Sequence, residues 1–195
     1  MKNKIAVCIA SGPSLNLGDV SFCKGKAKIY AVKESAFMAP YADVLYAADT
    51  DWWDMKGRWD WFQGEKWTLS SEASIKYGLN FIEYDNQIAW SDTQGLISSG
   101  GNSGFQALNL AVLQGAETVF LLGYDMGHGG GQKHWWDKDM PRESRNSDYH
   151  KWIERFNKAA PLIKAKVINC SPNTALTCFP RMTIQDAFKS ICPPE

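Results

Sequence analysis

The residues best placed for chemistry sit in two glycine-containing turns, each closing a β-like run. The first, Ser11-Gly12-Pro13-Ser14-Leu15, follows the apolar run 5–10; the second, Ser98-Ser99-Gly100-Gly101-Asn102-Ser103-Gly104, opens onto an apolar, helix-like segment. Glycine and small hydroxyl residues at a strand end expose backbone N–H groups, and such turns suit anions, phosphates above all. Adjacent glycines cost backbone entropy and make sense where a ligand touches the main chain. Asn102 or Ser103 would cap the helix that follows, and the helix dipole would add to the pull on an anion. Neither turn is a G-x-G-x-x-G fingerprint or a P-loop, so an ordinary βα turn is the competing reading for each.

Carboxylates and a histidine stand near these turns in the chain order. Asp49 and Asp51 follow the run 43–48. Two carboxylates at that spacing can hold a divalent cation against a diphosphate. Alternatively, they cap the next helix, or Asp49 alone binds a ribose hydroxyl. Tyr124 and Asp125 end the run Val119-Phe120-Leu121-Leu122-Gly123, a place where functional residues of open α/β sheets gather. His128, His134 and His150 match no common zinc spacing, and no cysteine lies near them. His134 suits general acid–base work or a phosphate contact, whereas His128 reads as a surface residue. Lys133, Lys138, Arg142 and Arg145 make this stretch basic, either to close over a phosphate or simply as a solvated loop.

The elements that must position these groups alternate along the chain. Strands are expected at 5–10, 29–32, 43–48, 118–122 and 166–170, with weaker ones at 67–69 and 79–82. Helices are expected at 35–39, in part of 52–62, at 103–114, at 149–163 and from 183 onward. Strands alternating with helices predict an α/β protein with a Rossmann-like, doubly wound, mostly parallel sheet. The stretch from about 126 to 146 is long for a connection and is expected to act as a lid.

Composition sets the outer limits. With 195 residues, 45% of them hydrophobic, the chain predicts one globular domain over 1–195. No apolar run approaches the ~20 residues needed to span a bilayer, so no membrane partner is expected. The zero formal net charge argues against a strong nonspecific grip on nucleic acid. Five scattered cysteines without a Cys-x-x-Cys pair read as free thiols in a reducing, intracellular setting. Nine tryptophans either pack loops or an oligomer interface, or form a stacking platform for a base or sugar.

Several of these residues also resemble known families. Gly12-Pro13-Ser14-Leu15 resembles the Gly-Asn-Gly-Pro-Ser-Leu start of family-42 bacterial sialyltransferases. Asn102-Ser103-Gly104, the helix after it and the run from Val119 to Asp125 resemble that family's Thr-Ser-Gly, helix and Ser-Gly-Ile-Asp strand end. Cys170-Ser171-Pro172-Asn173 resembles its late Cys-Pro-Asn segment. Pterin diphosphokinase-like and motility-associated Gly-Pro-Ser domains are related. A likeness over nearly the whole chain is to a family encoded by tailed bacteriophages. It is carried by the run 41–49 with Trp52-Trp53, by Gly101-Asn102-Ser103-Gly104 and by His134-Trp135, and it implies no particular activity. The chain departs from the sialyltransferase pattern at Ser11, Lys33 and Gly127, and no histidine aligns with that family's catalytic base.

The sialyltransferase resemblance implies a nucleotide-sugar site that needs no metal, with Ser14 and Ser103 on the phosphate and Asp49 near the ribose or base. The expected binding set is Ser11, Gly12, Pro13, Ser14, Lys33, Asp49, Asp51, Gly100, Gly101, Asn102, Ser103, Gly104 and Tyr124, with His134 and Asp125 catalytic. The expected function is glycosyltransferase-like, in the cytoplasm of an infected bacterial cell, with nucleic acid only as an acceptor and a homo-oligomer compatible with the tryptophans. The alternatives are a protein that sequesters a nucleotide or nucleotide signal, and a diphosphotransferase with a divalent cation at Asp49 and Asp51.

Overall fold

The computed structural model describes residues 4–56, 59–127, 132–136 and 148–191. His128, Lys138, Arg142, Arg145 and most of the expected lid lie outside the described residues. The chain is α/β with a Rossmann-like, doubly wound sheet. Strands β1 (Ile5–Ile9), β2 (Lys28–Val32), β3 (Val44–Tyr46), β4 (Glu65–Thr68), β5 (Asn80–Phe81), β8 (Thr118–Leu122) and β9 (Lys166–Asn169) form one sheet. Their order is β5-β4-β3-β2-β1-β8-β9 and every pairing is parallel. A second, two-stranded parallel sheet pairs β6 (Glu83–Asp85) with β7 (Leu96–Ser98).

The chain enters at β1 in the interior of the sheet, builds outward through β5, then returns to add β8 and β9 on the other side of β1. The order therefore reverses between β1 and β8. Open α/β sheets bind ligands in the crevice that this reversal leaves at the carboxyl ends of the strands.

Both faces of the sheet are buried, which is why its central strands read as continuous apolar runs. Val7, Ile9, Ile29, Ala31, Leu45, Phe120 and Leu122 share one core with α1 (Leu17–Phe22), α2 (Thr50–Lys56) and α6 (Ile184–Ile191). Ala6, Cys8, Tyr30, Val44, Tyr46, Val119 and Leu121 share the other with α4 (Ser103–Leu113) and α5 (Tyr149–Ala159). A further helix, α3 (Ser71–Tyr77), lies between β4 and β5.

Helix α4 is the most deeply set, with Gly104 through Ala111 all buried. The Asn102 side chain caps it by accepting from the Phe105 N–H at 2.9 Å. Asn109, also fully buried, ties it to β7 by accepting from Ser98 N–H at 2.9 Å and donating to the Ser91 carbonyl at 2.8 Å.

The expected tryptophan cluster splits by place. Trp52, Trp53, Trp59 and Trp61 pack with Phe37 and Phe62 beside α2, and Trp53 Nε1 donates to the Ala47 carbonyl just past β3 at 3.0 Å. Cys8, Cys23 and Cys170 are buried free thiols. Burial pushes the thiols of Cys23 and Cys170 up to about 12. Among the described residues no helix is long and apolar enough to cross a membrane.

Candidate functional site

The carboxyl ends of the strands open into one cavity of about 830 Å³. Ser11 and Gly12 reach it from β1, Lys33 from β2, Asp49, Thr50 and Asp51 from β3, and Asp125 from β8. Helix α4 brings Gly101 to Gly104 and Gln106, and the segment 132–136 brings Lys133 and His134. Of the expected binding residues, Pro13, Gly100, Ser14 and Tyr124 do not line the cavity.

The first turn is occupied by the protein's own carboxylate. Ser14 N–H donates to Asp125 Oδ2 at 2.8 Å and Ser14 Oγ donates to Asp125 Oδ1 at 2.7 Å. Gly12 N–H donates to the Gly123 carbonyl at 2.8 Å, and Leu15 N–H to the Gly12 carbonyl at 3.0 Å. The Gly12 and Ser14 N–H groups of this turn are therefore engaged. A side chain on residue 12 would overlap the Asp125 carboxylate, so glycine is required there. Asp125 is 3% exposed. Burial raises its pKa above the ordinary value, and the Ser14 hydroxyl and N–H oppose that shift.

The second turn keeps two donors open: Gly101 N–H is taken by the Ser99 carbonyl. Asn102 satisfies Phe105 N–H, while the N–H groups of Ser103 and Gly104 take no partner among the described residues. These are the first N–H groups of an eleven-residue helix and carry the positive end of its dipole. Tyr124 holds this end of α4 in place. Its buried hydroxyl donates to the Gly104 carbonyl at 2.8 Å, its N–H donates to Ser171 Oγ at 2.8 Å, and burial holds its phenol well above the ordinary pKa. The late segment resembling Cys-Pro-Asn thus buttresses the end of β8: Thr174 Oγ1 also donates to the Tyr124 carbonyl at 2.6 Å.

Lys33 and Asp49 form an ion pair across the ends of β2 and β3, with Lys33 Nζ 2.5 Å from Asp49 Oδ2. Lys33 adopts a left-handed backbone, with φ of 53°. Met126, after β8, is left-handed as well and lines the same cavity. Non-glycine residues in this region store strain of order 1 kcal/mol or more, and such residues cluster at functional sites. Asp51 sits in the first turn of α2. The Lys33 ammonium takes a place beside Asp49 that a cation would need. Among the described residues no three metal-ligating side chains converge.

His134 Nδ1 lies 3.1 Å from Ser11 Oγ. Trp135 N–H donates to the Ser11 carbonyl at 3.2 Å, so the 132–136 segment is laid on the end of β1. The His134 ring is stacked on Trp136, with centroids 4.5 Å apart and an 8° tilt. A histidine laid beside the strand ends in this way suits proton transfer in the cavity.

Sequence reasoning missed several wall residues. Tyr84 and Asn86 come from the β6 region, for which no strand was expected, and Tyr149 and Trp152 come from α5. Ser99 belongs to the second turn as read from the sequence, though not to the expected binding set. Gln106 is 4% exposed; it accepts from Tyr46 OH at 3.1 Å and donates to the Ser99 carbonyl at 2.7 Å. Fold and cavity together define an α/β protein with a polar site at the reversal of strand order. No protein-family model matches the chain, nor does any curated protein or solved structure.

Proposed function

We propose that the chain binds a nucleotide or nucleotide sugar in this cavity and acts as a glycosyltransferase-like enzyme. The observation that carries the reading is the Ser103 and Gly104 N–H pair at the start of α4, without a partner among the described residues, which shares one cavity at the strand-order reversal with His134. The nucleotide phosphate lies against the Ser103 and Gly104 N–H groups, where the helix dipole stabilises its charge. Lys33 and Asp49 border the ribose and base.

In the transfer, the acceptor hydroxyl oxygen bonds to the anomeric carbon as the bond from that carbon to the phosphate oxygen breaks. The phosphate leaves with the electron pair, and His134 takes the acceptor proton. Asp125 assists indirectly, by holding the Ser11–Ser14 turn that carries the partner of His134.

The test is chromatographic detection of nucleotide released from a panel of nucleotide sugars, with and without chelator. Release that survives chelation and is lost in His134→Ala is the expected result. Stoichiometric binding without release would replace transfer by sequestration. Release that needs a divalent ion and fails in Asp49→Asn would point to diphosphate transfer.

A further inference from the structure

The anion-binding capacity of the cavity is unevenly divided between the two glycine turns. Asp125 already fills the first. At the second, two side chains outside the glycine run join the helix end. Ser99 is 9% exposed, lines the cavity, and its hydroxyl has no hydrogen-bond partner among the described residues. Its backbone is fully used: its N–H donates to the Asp85 carbonyl at 3.0 Å, and its carbonyl accepts from Gln106. That hydroxyl is not sealed from the cavity, so a ligand there can reach it.

The second side chain is Arg155, on α5. Gly101 has φ of 77°, and a Cβ there would collide with the Arg155 guanidinium and approach Trp152 Cδ1 to 3.5 Å. Residue 101 is therefore glycine for two reasons, its left-handed backbone and the cation packed on its Cα. Arg155 makes no ion pair with a described residue, although Asp148 and Glu154 lie close enough to feel its charge. The Arg155 guanidinium packs on Gly101, two residues before the first unpaired N–H of α4, and Ser99 stands two residues to the other side of Gly101.

We propose that Ser99, the Ser103 and Gly104 N–H groups and Arg155 form a single phosphate subsite, which takes one phosphate group of a phosphate ester. Ser99 Oγ–H and the two N–H groups donate to its oxygens, and Arg155 supplies the balancing charge from behind Gly101. The subsite rests on the cavity assigned above to a nucleotide, but it does not depend on the nucleoside part.

The experiment measures dissociation constants of inorganic phosphate and of 5′-nucleoside monophosphates for the full chain, by calorimetry at low and high salt. Ser99→Ala weakens phosphate roughly tenfold, the loss of one charge-assisted hydrogen bond. Arg155→Gln weakens it several-fold at low salt and flattens its salt dependence. Lys158→Gln removes the same charge from α5 at a lysine paired with Glu154, and it leaves the affinity unchanged.

Equal losses in Arg155→Gln and Lys158→Gln, or no loss in Ser99→Ala and Arg155→Gln, would overturn the subsite. If Ser99→Ala fails to fold, the exposed Arg155 still decides the matter. Phosphate binding that follows the variants without any gain from a nucleoside upholds the subsite and removes the nucleotide reading. Nucleotide binding indifferent to both variants does the reverse, and no binding of either ligand overturns both.

Discussion

Gly12 and Lys33 show how single residues set this site. Both have unusual backbone surroundings, for opposite reasons. Gly12 is pressed against a carboxylate and a carbonyl oxygen that cannot move without breaking the β1–β8 join. Gly12→Ala is expected to cost about 1–3 kcal/mol, as overpacking does, read as a lower denaturant midpoint at unchanged m-value. Lys33 gives up backbone comfort to place an ammonium beside Asp49. Lys33→Gly is expected to stabilise the fold by about 1 kcal/mol as the strain is released. The same change should weaken nucleotide affinity, so thermal melting and a binding titration should move in opposite directions. A protein destabilised by Lys33→Gly would show that the ion pair outweighs the strain. Glycine and aspartate at these positions were legible in the sequence as site residues. Their division of labour was not, because nothing local says that Asp125 folds back onto Ser14, 111 residues earlier.

At the scale of elements, the proposed phosphate site rests on the start of α4, which Asn102 caps and Tyr124 holds in place. Tyr124→Phe removes the hydroxyl bonded to the Gly104 carbonyl and leaves that buried acceptor unpaired. The expected cost is about 1–3 kcal/mol, with nucleotide affinity falling beyond what the stability loss explains, as measured by calorimetry well below the melting temperature. The boundaries of α4 and β8 were readable to within a residue, because Asn102 is a capping residue and the runs on either side are strongly apolar. Helix α3 escaped notice although Ser70 caps its start and left-handed Gly78 closes its end. It is seven residues long and only Ala73 is buried, so it carries almost no hydrophobic period. Strands β6 and β7 were missed because three-residue strands have no room for a pattern, and their pairing is set by the Ser98–Asn109 contact from α4.

The whole molecule is a parallel sheet whose central strands are buried on both faces, with its ion pairs on the surface and Asp125 buried. Contacts with Lys76, Lys164, Lys151 and Lys158 hold the carboxyls of Asp54, Asp92, Asp148 and Glu154 below their ordinary values. A carboxylate whose folded pKa is depressed stabilises the fold above its unfolded value and loses that contribution as pH falls through the folded one. Melting temperature is therefore expected to hold steady at neutral pH, then to drop as pH falls below about 4.5 and on past 3.8, the ordinary values for Glu154 and the three aspartates. These pairs are exposed, so salt should shrink the drop. Asp125 acts in the opposite sense, since its raised pKa makes protonation favour the folded state. A loss of stability centred near neutrality would contradict this assignment. Sheet order at this scale was only partly legible: alternation of strands and helices gave the doubly wound class, but long-range pairing, not local pattern, places β8 beside β1.

The central claim is that nucleotide phosphate binds at the N-terminus of α4 and not in the Ser11–Ser14 turn. Titration of isotope-labelled protein with a 5′-nucleoside monophosphate, read as amide chemical-shift changes, separates the two turns directly. Saturable shifts largest at Ser103 and Gly104, with small ones at Gly12 and Ser14, are the predicted result. Shifts largest at Gly12 and Ser14, or none that saturate, would contradict it.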